Sequence, residues 1–178
     1  MARQHQTQRR GHRARRRWTK GAAIAGVVVI AVVVGYFAYR AQAGLPGQKF
    51  PDQGNLHVQT VNDPHEPYNS TPPTSGPHLP YIAPWGVHTK PIVNELQVHN
   101  LEDGGVMVQY NCDCPDLAEK LAGIVRRYDR YVVLAPYPTM KSRIALTAWT
   151  RLEALDEFDA GRIERFIKAY RGIDHHPR

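Results

Sequence analysis

The chain has little sulfur and no long stretch of balanced charge at its start. Only two of its 178 residues are cysteines, Cys112 and Cys114, and they are spaced C-x-C. No C-x-x-C motif exists, so the strongest redox signature is missing. No G-x-S-x-G elbow exists either. Ser75 lies near His78, and Glu102 is available, but nothing around that serine would activate it, and no other catalytic signature marks the chain as an enzyme. No internal repeat appears. Residues 1–20 contain no acidic side chain, and Gly21 to Tyr39 contain no charge at all.

What is present in those two segments has a direct physical reading. Seven arginines and one lysine fall in residues 1–20. The rest of the chain then carries 15 basic against 16 acidic residues, although the net charge is +7. The basicity belongs to the tail, so the folded part carries no nucleic-acid footprint. Directly after it, GAAIAGVVVIAVVVGYFAY runs for 19 residues. As a helix it would span roughly 28 Å, close to the ~30 Å apolar core of a bilayer. Tyr36 and Tyr39 stand where an interfacial aromatic belt would lie, and the arginines would hold their end in the cytoplasm. Attraction to anionic lipid is about 1 kcal/mol per basic residue near the surface.

The expected organisation is a cytoplasmic tail (1–20), a signal anchor (21–39), a Gly/Pro/Gln-rich linker (40–56) and an extracytoplasmic domain (57–174). The result would be a single-pass protein of the cell membrane. Cleavage after Ala41-Gln42-Ala43, or export through a twin-arginine-like Arg15–Lys20 segment, would deliver the same domain to the same side. Two cysteines in an exported domain point to a disulfide or a metal ligand pair.

Within the domain, Leu56–Val61 alternates and reads as a short strand. Residues 62–91 hold eight prolines, which exclude helices and central strands. With Tyr68, Tyr81 and Trp85 among them, they read as an ordered wrap; Tyr68 and Trp85 are the candidates for contact with an envelope protein partner. Asn94 and Gln97 have capping-box spacing, which favours a helix from Glu95 to the Gly104 stop. A strand through Leu96–Leu101 is the alternative.

Val106–Tyr110 reads as a short apolar strand, and Tyr131–Ala135 and Arg143–Trp149 read as buried central strands. Pro115 opens a helix whose apolar face is Leu117, Leu121, Ile124, Val125 and Tyr128. Asp159 caps a last helix carrying Ile163, Phe166, Ile167 and Tyr170, ended by Gly172. The order strand, helix, strand, strand, helix predicts an α/β fold with a single small mixed sheet flanked by helices, compatible with a thioredoxin-like core.

The motifs YNSTPPTSGPH (68–78), HNLEDGG (99–105), APYPTM (135–140), IALTAW (144–149) and RIERFIKAYRG (162–172) resemble the bacterial domain-of-unknown-function family numbered 3105. The resemblance runs over roughly residues 47–176. It implies a membrane-anchored or secreted domain and no settled activity. In that family the second motif usually reads HNLEHGG, whereas here its second histidine is Asp103.

Two chemical readings follow. In the first, His57, His78, His99 and Asp103 surround a transition metal, copper or zinc, with Met107 or Met140 as candidate soft ligands. A His/Asp set favours zinc over cuprous copper. In the second, Cys112 and Cys114 form a thiol-disulfide pair, Cys114 sitting at a helix N-terminus where the dipole favours thiolate. His175 and His176 lie in the tail and read as solvated.

Overall fold

The computed structural model describes residues 27–37 and 44–176. The chain divides into two compact units, Met1–Leu45 and Pro46–Arg178. In the first, residues 27–37 form a helix (α1) with exposed side chains. The basic tail lies outside the described residues, as do 21–26 and 38–39 of the expected span. Among the described residues no helix is long and apolar enough to cross a membrane.

The second unit is a mixed α/β domain built on one six-stranded sheet. Its elements are β1 (Gln48–Lys49), β2 (Gly86–Val87), α2 (Asn94–Glu102), β3 (Val106–Tyr110), α3 (Pro115–Val125), β4 (Val132–Pro136), β5 (Ile144–Ala148), β6 (Arg151–Leu155) and α4 (Ala160–Tyr170). The strand order is β1-β6-β5-β3-β4-β2. β3 and β4 run parallel, as their α3 crossover requires, and β2 runs parallel to β4 at one edge. β5 is antiparallel to β3, β6 to β5, and β1 to β6.

Alternation along β3 and β4 explains the two layers. Met107 and Val133 pack with Val98 and Leu101 of α2 and with Trp149. Their neighbours Val106, Val108, Val132 and Leu134 point to the opposite face. There α3 and α4 bring their buried stripes, Leu117, Leu121 and Val125 and then Ile163, Phe166 and Ile167. Each such side chain, fully buried, is worth about 1.5–3 kcal/mol. Gln97 and Gln109 are also fully buried, and Gln109 Nε2 donates to Gln97 Oε1 at 2.7 Å, tying α2 to the middle of the sheet.

Several local expectations change. Residues 46–56 are not a free linker: β1 pairs with β6, and the Tyr170 hydroxyl donates to the Pro46 carbonyl. Leu56–Val61 is no strand; it makes one isolated parallel bridge, His57 with His78, because Thr60 and Asp63 turn the chain immediately afterwards. α2 is a helix, but its N-cap is Val93. Asn94 is already helical and uses Oδ1 to accept from Gln97 Nε2 and from the Tyr137 hydroxyl, so no capping box forms. β6 lies beyond the strands expected from the sequence. Its RLEAL pattern buries Arg151 and Glu153 on the inward positions, which masks the alternation.

The proline-rich segment is an ordered wrap. Residues 72–78 are buried, and Ala83 exchanges both backbone hydrogen bonds with the Asn100 amide, at 2.8 Å each. Tyr68 and Trp85 pack inward against the α2–Trp149 cluster, and the Tyr68 hydroxyl donates to Pro77 O. Both rings remain partly exposed while holding the wrap down.

Candidate metal centre

Four separate chain segments meet around the C-terminal end of α2. The His57–His78 bridge is held by Val58 N donating to His78 O at 2.8 Å and His78 N to Leu56 O at 2.9 Å. Helix α2 presents His99 and Glu102 one turn apart, and Asp103 follows in the turn. The last segment returns from α4: Gly172 N donates to Gly104 O at 2.7 Å, and His175 N to Glu102 O at 2.9 Å. Gly104 has φ +83°, and a Cβ there would meet the Ile173 backbone at 2.7 Å, so glycine is required for this close approach.

The rings of His57, His78 and His99 form a triangle with centroids 4.9, 5.2 and 5.0 Å apart. One nitrogen from each, together with a Glu102 carboxylate oxygen, falls within a 4.8 Å cluster. Glu102 Oε2 is the focus. His78 Nε2 lies 3.0 Å from it, His176 Nε2 3.3 Å and His57 Nε2 3.7 Å. The site is graded from inside to outside: the His78 and Glu102 side chains are 0 % exposed, His99 12 %, Asp103 30 %, His176 41 % and His57 42 %. Asp103 does not join the inner set. It sits 3.7 Å from His99 Nε2 and 3.7 Å from His176 Nε2, forming an adjoining outer group.

The supporting contacts orient these ligands. His78 Nδ1 lies 2.7 Å from the Gly76 carbonyl, which can only accept, so Nδ1 donates there and Nε2 is the nitrogen turned to Glu102 Oε2. At 3.0 Å that nitrogen and the carboxylate oxygen share a proton or, in its place, a cation. Asn55 Nδ2 holds the other oxygen, Oε1, at 2.8 Å. Trp149 lies edge-on to His78 and stacks on His175, with its Nε1 donating to Asp52 Oδ2 at 3.1 Å.

The electrostatics agree with a site prepared for positive charge. Burial pushes the Glu102 carboxyl up, but the Asn55 amide and the His78 and His176 rings outweigh it and hold the group below the usual carboxylate range. Burial keeps His99 low, partly opposed by Asp103, so its nitrogens are free of a second proton at neutral pH. His176 is raised, first by its hydrogen bond to Asp174.

His57, His78 and His99 are therefore brought together as the sequence suggested, with Glu102 in the place given to Asp103. Glu102 is i+3 from His99, as much on its face as i+4, and that spacing was the available signal. His176 had no local signal: it is exposed, as expected of the tail, yet its ring folds back to 3.3 Å from Glu102 Oε2. Met107 and Met140 are core residues, packed with Val98 and Leu101 and with Tyr137 and Ala145 respectively. Ser75 Oγ accepts from Gln53 N, and both His78 nitrogens are directed elsewhere, so no serine–histidine pair exists there. Cys112 and Cys114 are joined in a disulfide.

Fold and site together define a small mixed α/β domain with a histidine–carboxylate pocket at one end of its sheet. Residues 59–178 match the family described as protein of unknown function (DUF3105), and the chain belongs to that family. The match begins two residues after His57. No curated protein and no solved structure matches the chain.

Proposed function

We propose that the domain binds one divalent transition-metal ion through His57, His78, His99 and Glu102, with Asp103 and His176 closing the outer side. The carrying observation is that one nitrogen each of His57, His78 and His99 and a carboxylate oxygen of the buried Glu102 all lie within 4.8 Å of one another. Ligand atoms about 2.0–2.2 Å from a tetrahedral zinc ion lie roughly 3.3–3.6 Å from one another; His78 Nε2 and His57 Nε2 stand 3.0 and 3.7 Å from Glu102 Oε2, and all four ligand atoms lie within 4.8 Å of one another. Three imidazoles and a carboxylate, without sulfur, suit zinc or cupric copper and suit cuprous copper poorly. The Gly76 carbonyl behind His78 and the Asn55 amide behind Glu102 are the second layer such ligands need. Loading the metal-stripped chain with zinc or copper and measuring bound ion by elemental analysis tests this reading.

The same proposal places the domain outside the cytoplasm, held by the 21–39 run, with the arginine-rich tail against anionic lipid on the inner side. Its support is the uncharged length, the arginine flank and a disulfide, which belongs in an oxidising compartment. A reporter fused after Arg178 that matures only in the cytoplasm would remove it. We read the inner four strands, β6-β5-β3-β4, as a thioredoxin-like arrangement. The parallel β3–α3–β4 unit, the β5–β6 hairpin and the cysteines at the start of α3 support that reading.

A further inference from the structure

We propose that the Cys112–Cys114 disulfide is a second, independent site that exchanges with cysteine pairs of other polypeptides. The bond joins residues only two apart, and no described cysteine is free. The stabilisation a disulfide gives through the unfolded chain grows with the loop it closes, so a bridge across one residue is a poor staple. Its position favours chemistry instead. Asn111 to Asp113 form the turn between β3 and α3, and Cys114 is the N-cap of α3, followed by Pro115. Both cysteines are partly exposed. They open onto a cavity of about 350 Å³ whose lining includes Thr89, Tyr110, Pro136 and Pro138. That is room for the side chains flanking a cysteine in an extended peptide. The metal cluster enters β3 at Val106 and the cysteines leave it after Tyr110. The two sites lie at opposite ends of a five-residue strand, roughly 17 Å long.

The exchange balances as follows. A substrate thiolate attacks Cys112 Sγ, and the Cys112–Cys114 bond breaks. Cys114 leaves as a thiolate at the N-terminus of an 11-residue helix, where the aligned peptide dipoles favour negative charge; exposed Asp113 opposes this from the solvent side. The substrate's second thiolate then attacks its own sulfur in the mixed disulfide and releases Cys112. Two electrons pass from substrate to protein, the substrate gains a disulfide, and the two protons of its thiols end on Cys112 and Cys114. A disulfide-bearing polypeptide restores the bond by the reverse steps.

The test uses the full chain in detergent and a synthetic peptide containing two cysteines. The probe is mixed with oxidised protein, quenched in acid, alkylated and weighed. One peptide disulfide should form per chain, with both Cys112 and Cys114 alkylated. Exchange should run at least about tenfold faster than with an oxidised linear peptide of residues 110–116, because the fold supplies the leaving group's environment. In Cys114→Ser, mixed with the peptide in its own disulfide form, the Cys112 thiolate should open that disulfide and hold one peptide cysteine as a mixed disulfide, the peptide's other cysteine leaving as a thiol. A rate no faster than the linear peptide, no mixed disulfide, or unfolding of the domain on reduction would each overturn the proposal. Metal loading is measured separately and does not depend on any of these outcomes.

Discussion

His78 and Glu102, 24 residues apart in the chain, place Nε2 and Oε2 3.0 Å from one another with neither side chain exposed to solvent. Neither would be held there by packing alone. The Gly76 carbonyl orders the imidazole and the Asn55 amide orders the carboxylate, so each side has one atom anchored and one atom presented. Replacing the carboxylate while keeping its shape is the sharpest perturbation. Glu102→Gln should still fold, because Asn55 can donate to the amide oxygen, and it should weaken metal binding by about 100-fold or more. Competition with a coloured chelator measures this, and unchanged affinity would remove Glu102 from the ligand set.

Asn55→Ala tests the layer behind the ligand. It removes the contact to Oε1 without touching any nitrogen of the cluster. Affinity should fall about 10–100-fold, the range typical of outer-shell partners, with little change in secondary structure by circular dichroism.

The turn that follows α2 should tolerate no side chain. A Cβ on Gly105 would collide with Asn100 O and lie 2.8 Å from the Trp85 ring. Gly105→Ala must displace either the end of α2 or the proline-rich wrap, and should cost about 2–4 kcal/mol. Urea denaturation with the metal removed reads this directly; an unchanged midpoint would show that the turn is looser than described.

Asn100 links the same two parts through its side chain. Asn100→Ala leaves Ala83 N and O unpaired in a buried place. The expected loss is about 2–4 kcal/mol, since two buried backbone groups lose their partners. Protease sensitivity of residues 79–91 should rise with it.

The metal-free chain should lose stability as pH falls from about 7.5 to 5.5. Burial lowers His99 and His175, so below 6.5 the unfolded chain takes up protons that the folded chain resists. His176 is raised and works in the opposite sense: its stabilisation is complete below 6.5 and is lost as pH rises through its folded value. Glu102 is lowered, so its contribution is present above 4.5 and is lost only as pH drops through its folded value. His176→Ala should therefore steepen the fall in Tm over that interval. A shallower fall would contradict the assignment of the opposing contributions.

The parts of this fold legible in the sequence were those with strong period and punctuation. Pro115 and the Leu117–Val125 stripe announced α3, and Asp159 did accept from Arg162 N at the start of α4. Val106–Tyr110 and the two following strands were legible from apolar runs. What stayed hidden depended on partners distant in the chain. β1 and β2 are two-residue edges made strands only by β6 and β4. The three histidines could be named because they flank turns. Glu102 was overshadowed by its neighbour Asp103, and His176 reaches the cluster only because Gly172 binds back to Gly104.

Elemental analysis of the purified full chain, stripped with chelator and reloaded with zinc or copper, measures the central claim most directly. The account predicts one bound ion per chain, a raised Tm in its presence, and loss of both in His78→Ala. No retained ion above background, with a Tm indifferent to either metal, would contradict it.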